Sequence, residues 1–146
     1  MGLAMLAVAP LGCAPTPEQQ GAAIARAEPL QAARARETRR FDTANFGLVL
    51  QAALGALQDT GFTIEETQAD AGLITAVKLG DARIRVQVSV RRIPGREATL
   101  ARVTFQRVVP RPGAMLAMGE VLDDPLLYRD FFERMSQSLF LTANEI

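Results

Sequence analysis

Histidine and tryptophan are absent from this 146-residue chain, cysteine occurs once, at Cys13, and lysine once, at Lys78. Without histidine there is no imidazole for a mixed zinc site, a Cys–His dyad or a Ser–His–Asp triad, and one cysteine cannot form a disulfide within the chain. No apolar run reaches the roughly 18 residues that a membrane-spanning helix needs. Net charge is missing too. Sixteen basic residues balance 16 acidic ones, which argues against a nucleic-acid binder that works by neutralising phosphates. Gly12, Gly21, Gly47 and Gly55 do not have the spacing of a phosphate-binding loop. What is present is a 49% apolar composition, that of a globular chain, and a length that suits one domain.

The first segment reads as an address. Residues 2–11, GLAMLAVAPL, have the length of a signal-peptide core and end at Gly12-Cys13. Pro10-Leu11-Gly12-Cys13 resembles the lipobox of bacterial lipoproteins, in which a small residue precedes a cysteine that is acylated as the signal is removed. The resemblance implies lipidation at Cys13. No charged residue precedes Cys13, and a start upstream of Met1 is one explanation. The other reading of this stretch is a buried strand or helix, with Cys13 a small core residue. Pro15, Pro17, Gln19, Gln20, Gly21 and Pro29 then give a tether composition. The expected division is a signal peptide over 1–12, a lipidated cysteine and tether over 13–38, and one domain over 39–146. Ala14 stands where the lipoprotein pattern places an aspartate for inner-membrane retention, so the resemblance implies an outer-membrane anchor facing the periplasm.

Within the domain, periodicity predicts α+β. Phe46, Val49, Leu50, Ala53, Leu54 and Leu57 recur at helical spacing, with Thr43 or Asn45 as N-cap and Gly61 as the terminating residue. The period then drops to two. Phe62 and Ile64 alternate with polar residues, Leu73 to Leu79 forms a second strand, and Ile84, Val86, Val88 and Val90 face one way while Arg83, Arg85, Gln87, Ser89 and Arg91 face the other. Thr99 to Val109 is a fourth strand, with Val103 and Phe105 inward. Residues 114–122 read as a loop or irregular segment. Asp124 and Pro125 open a last helix whose apolar stripe is Leu127, Tyr128, Phe131, Phe132, Met135, Leu139 and Phe140. The expectation is an N-terminal helix, a four-stranded antiparallel meander and a C-terminal helix packed on one sheet face.

Arg40-Phe41-Asp42-Thr43, Leu57-Gln58-Asp59-Thr60-Gly61-Phe62-Thr63-Ile64, Ala71-Gly72-Leu73-Ile74-Thr75-Ala76 and the Tyr128 to Leu141 helix resemble a family of small bacterial envelope lipoproteins. More distantly, the helix, the GF-x-I strand, the polar turn and G-L-I resemble the helix-grip domains of the C subunit of the outer-membrane barrel-assembly machinery. The resemblance spans roughly residues 39 to 142 and implies a fold and an envelope address. It brings no catalytic residues.

Charge segregation is the strongest candidate feature. Eight arginines lie between Arg83 and Arg111, opposed only by Glu97. Arg83, Arg85 and Arg91 are candidates for binding an anion or a partner, because guanidinium forks fit phosphate and carboxylate oxygens; the plainer reading is a solvated sheet face. Glu120, Asp123, Asp124, Asp130 and Glu133 suit the helix N-terminal dipole better than calcium, since they lack an EF-hand spacing. Glu65, Glu66 and Asp70 could pair for acid–base chemistry, but nothing distinguishes them from surface charges. Phe131 and Phe132 are adjacent, so Phe132, with Met115 and Met118, is a candidate for a groove or partner contact, the alternative being core.

The sequence thus predicts a lipid-anchored, non-enzymatic binding or scaffold module for an envelope protein partner, without cofactor, metal or nucleic acid. The alternative is a carrier of an amphipathic ligand such as a lipid, held between helix and sheet.

Overall fold

The computed structural model describes residues 30–109, 112–113 and 118–143. The expected signal peptide, Cys13, the tether as far as residue 29 and Met115 lie outside the described residues. Residues 30–37 are helical (α1) and run into β1 (Thr38–Phe41). There follow α2 (Phe46–Asp59), β2 (Thr63–Gln68), β3 (Leu73–Lys78), β4 (Arg83–Arg92), β5 (Thr99–Val109), β6 (Met118–Val121) and α3 (Pro125–Ala143).

Strands β2 to β5 form the expected antiparallel meander, with each strand beside its neighbour in sequence. Two short strands that the pattern does not predict complete a six-stranded sheet. Both pair with the outer edge of β5: β1 covers its first half, from Thr38 opposite Arg102 to Phe41 opposite Thr99, and β6 covers its second, from Val121 opposite Gln106 to Met118 opposite Val109. The segment expected to be irregular over 114–122 is therefore a strand from Met118 to Val121. Its reason is the hydrogen-bonding edge of β5, which would otherwise stay open.

Packed structure begins ahead of residue 39, the expected start of the domain. The compact unit begins at Ala32, and Glu37 is buried, 5% exposed. Glu37 is held there by Arg102 of β5, and Thr38 already belongs to the sheet.

Alternation along β4 and β5 sets the two faces of the sheet. Val86, Val88, Val90, Ala101, Val103 and Phe105 point to one side, and none is more than 2% exposed. Helices α2 and α3 cover that side. From α2 come Val49, Leu50, Ala53 and Leu57, and from α3 come Tyr128, Phe131, Phe132 and Met135. Phe105 sits at the centre, its ring edge-on to Tyr128 at 5.3 Å and to Phe131 at 6.0 Å, and tilted against Phe62 at 5.9 Å. The helices also meet each other closely: a methyl group on Gly55 would lie 3.5 Å from the Ser138 hydroxyl.

Local chemistry fixes the element ends. The Asn45 side chain accepts from the Leu48 amide at 3.1 Å and starts α2, while Gly61, at φ 83°, leads the chain out of its far end. Asp124 accepts from the Leu126 amide at 3.0 Å at the start of α3. Four cations lie over aromatic rings at the edges of the core: Arg36 over Tyr128, Arg39 over Phe132, Arg92 over Phe46 and Lys78 over Phe62. Part of the arginine content is thereby structural, since a guanidinium covers a ring face while keeping contact with water.

Candidate functional site

The second face of the sheet carries no helix. Its floor is a row of small polar side chains that the register places directly across the strands, Thr75 opposite Gln87 and Gln87 opposite Thr104. Around this row lies a hollow of about 510 Å³, rimmed by Glu66, Gln68, Leu73, Gln106 and Arg102. One pleat further along, Leu73, Ser89, Arg102 and Thr38 form the next row. Ser89 and Arg102 also belong to a second pocket of about 320 Å³, completed by Arg91, Leu100, Thr38 and Arg34.

Arg34 comes from α1, Thr38 from β1, Ser89 and Arg91 from β4, and Arg102 from β5, so four elements converge on that second pocket. Arg91 is two residues beyond Ser89 on the same strand face, diagonal to Arg102. Arg102 is anchored from behind: Glu37 accepts from its Nε at 3.2 Å and its Nη2 at 2.8 Å. Arg34 and Arg91 have no ion-pair partner among the described residues. The face is thus polarised, with Glu66 at the β2 side and three guanidiniums at the β1 side.

The arginines picked out by sequence do not form one site. Arg83 lies eight residues from Arg91, roughly 26 Å along the strand at about 3.3 Å per residue, and is paired with Glu65 at 2.9 Å. Arg85 lies between Val77 and Gln106, half-buried, with its Nε shielded from solvent and unbonded among the described residues. Only Arg91 reaches the pocket, and its companions there are Arg34, which falls within the expected tether, and Arg102, whose place depends on the β4–β5 register.

Phe132 is 2% exposed, with Arg39 over its ring at 4.9 Å and Phe131 at 5.4 Å. It is core, and it offers no surface to a partner. Both neighbouring phenylalanines are buried because α3 is covered on two sides, by the sheet and α2 and by Arg39 of β1. Met118 lies in β6, where only its backbone is described. Phe140, expected in the buried stripe, is instead 68% exposed.

The acidic residues of the α3 region are engaged individually. Asp123 pairs with Arg36, Asp124 caps the helix, and Asp130 and Glu133 face Arg134 and Arg129 one turn away. Among the described residues no three acidic or sulfur ligands come together as a metal site. No described helix is long and apolar enough to cross a membrane. Tyr128 is 1% exposed. Burial pushes its hydroxyl up, a backbone hydrogen bond to Phe105 and the charge of Arg36 oppose this, and the charges of Glu37 and Asp123 add to it. That hydroxyl donates to the Leu122 carbonyl at 2.7 Å, a structural bond. The chain matches no protein-family model and no curated protein.

Proposed function

We propose that this chain is a lipid-anchored module of the bacterial cell envelope, tied to the outer membrane through Cys13 and facing the periplasm, which binds a protein partner across the open face of its sheet and performs no chemistry of its own. One observation carries the reading. Two helices seal one side of a six-stranded sheet, while the other side keeps a hollow with a polar floor and an arginine-rich end in contact with solvent. Arginine in such a position suits protein recognition, because its planar fork pairs with carboxylates and sheds water at less cost than an ammonium.

The packing on the sealed side speaks for this reading over a lipid carrier. A carrier would need room between helix and sheet, and that interval is filled by Phe105, Tyr128, Phe131 and Phe132, each no more than 2% exposed. The similarity to small envelope lipoproteins in Gly12-Cys13 and in the GF-x-I and G-L-I segments agrees with the address.

Affinity capture from detergent-solubilised envelopes tests the proposal with three forms: wild type, Cys13→Ala and the open-face variant Gln87→Lys. The expected result is one dominant partner with wild type, reduced when the anchor is removed and lost when the floor of the hollow is blocked. Capture that is indifferent to Gln87→Lys would place the partner elsewhere and overturn the assignment of the face. Radiolabelled palmitate supplied to growing cells should appear on the wild type and not on Cys13→Ala; an unlabelled wild type removes the anchor.

A further inference from the structure

We infer that the smaller pocket at the β1 end of the open face, bounded by Arg34, Arg91 and Arg102, is a binding site for a phosphate group, specifically a phosphomonoester or inorganic phosphate. The inference rests on the open face being the binding surface, and it names the chemistry recognised at one end of it.

Charge identifies the ligand. Three guanidiniums border the pocket, and one of them, Arg102, is already matched by the buried Glu37 carboxylate. About two positive charges are left over. A carboxylate or a phosphodiester carries one negative charge and would leave a guanidinium unmatched, whereas a phosphate monoester carries about −1.5 to −2 at neutral pH. Donor geometry agrees. Ser89 and Thr38 flank Arg102 directly across the sheet and place two hydroxyls beside the three forks; neither hydroxyl has a hydrogen-bond partner among the described residues. Guanidinium forks with nearby hydroxyls suit tetrahedral oxyanions, whose oxygens accept in several directions.

The Glu37–Arg102 bond has a second part here. Glu37 takes the Nε and one Nη of Arg102, which fixes the plane of the guanidinium, so the side chain is held in place before a ligand arrives. Arg91, by contrast, stands on a rigid central strand with no partner of its own. Elsewhere on that strand Arg83 is satisfied by Glu65, and on the inner rim Arg92 lies over the Phe46 ring. Arg85 also lacks an ion-pair partner among the described residues, but it is half-buried between Val77 and Gln106 and does not line the pocket, which leaves Arg91 as the arginine of this strand that does. At about 320 Å³ the pocket has room for a phosphate and part of its substituent.

Phosphate of this kind comes either free or on a lipid headgroup, and two titrations separate the sources. Both use the full chain carrying Cys13→Ala, so that acylation does not contribute. The first titrates inorganic phosphate by calorimetry at constant ionic strength. The second measures co-sedimentation with phosphatidylcholine vesicles with and without phosphatidic acid. The expected result is saturable binding in at least one titration, weakened tenfold or more by Arg91→Gln and by Arg34→Gln and unchanged by Arg83→Gln. Preference for phosphatidic-acid vesicles over an equal concentration of inorganic phosphate assigns the headgroup; equal affinity assigns the free ion. No saturable binding in either titration, or binding that Arg83→Gln weakens as much as Arg91→Gln, overturns the site. If phosphate fails to bind while Gln87→Lys still abolishes partner capture, the pocket assignment falls and the binding face stands.

Discussion

Arg102 donates from both Nε and Nη2 to a single carboxylate oxygen of Glu37, Oε2, in an ion pair of unequal burial, the Glu37 side chain 6% exposed and the Arg102 side chain 48%. The inequality predicts unequal variants. Arg102→Ala leaves a carboxylate shut away from water without its counter-charge, a loss of about 2–3 kcal/mol once the exposure of the arginine is allowed for. Glu37→Ala leaves an arginine that can turn into solvent, a loss of about 1 kcal/mol. Urea unfolding of the two variants checks this; equal losses would mean that burial of the carboxylate does not set the cost.

Gly72 predicts a sharper effect. It occupies φ 68°, its carbonyl accepts from the Val90 amide at 2.8 Å, and a methyl group placed on it would come within 2.2 Å of the Val90 carbonyl and 2.8 Å of the Phe46 ring. The β2–β3 turn is therefore folded down onto the end of β4 with no room for a side chain. Gly72→Ala should cost about 2–4 kcal/mol, from the left-handed backbone and the clash together. Gly95 has a similar φ of 71° but faces open space, so Gly95→Ala should cost only about 1 kcal/mol. Thermal unfolding of the pair separates the steric part from the backbone part.

The difference between these two glycines is invisible in the sequence, and it marks the boundary of what the sequence can say. Strand β4 was legible because nine residues, Arg83 to Arg91, alternate between polar or charged residues and Ile or Val, a pattern that a one-sided strand satisfies. Helix α2 was legible from its apolar spacing and from Asn45. Strands β1 and β6 were not. The expected boundary between tether and domain falls inside Thr38-Arg39-Arg40-Phe41, where Arg39 lies over Phe132, and Met118-Gly119-Glu120-Val121, expected to be irregular, contains a glycine against which Gln106 packs. Both exist because β5 has an edge to fill, which is a property of the assembled sheet. The candidate site inherits that limit. Arg91 could be chosen from its strand face, but Arg34 and Thr38 lay within the span assigned to the tether, and nothing short of strand register brings Arg102 beside them.

The apolar stripe of α3 offers a test of where the helix leaves the core. Phe132 is buried beneath Arg39, while Phe140, eight residues on, is 68% exposed. Phe132→Ala should cost about 3–5 kcal/mol through lost burial and the cavity left behind. Phe140→Ala should stay within about 1 kcal/mol. Chemical denaturation of both reads the difference. A large loss at Phe140 would show that the end of α3 is covered in solution.

Tyr128 links the core to pH. Its ring is edge-on to Phe105, its hydroxyl donates to the Leu122 carbonyl, and burial raises its pKa above the usual tyrosine value of about 10. The sign of the effect follows from proton binding. Above pH 10 the unfolded chain releases the phenolic proton while the folded chain retains it, so the folded state binds more protons and unfolding becomes easier as pH rises. The contribution is complete below the unfolded pKa and disappears as pH climbs toward the folded one. Tyr128→Phe removes both the titrating group and the bond to Leu122. At pH 8 it should lower stability by about 1–2 kcal/mol, since the Leu122 carbonyl loses its donor. Between pH 8 and pH 11 wild type should lose stability faster than the variant, because only wild type carries the Tyr128 hydroxyl, so the gap between them should narrow. Urea midpoints measured across that range decide the point: parallel pH profiles would mean that the Tyr128 hydroxyl ionises no less readily in the folded protein than in the unfolded chain.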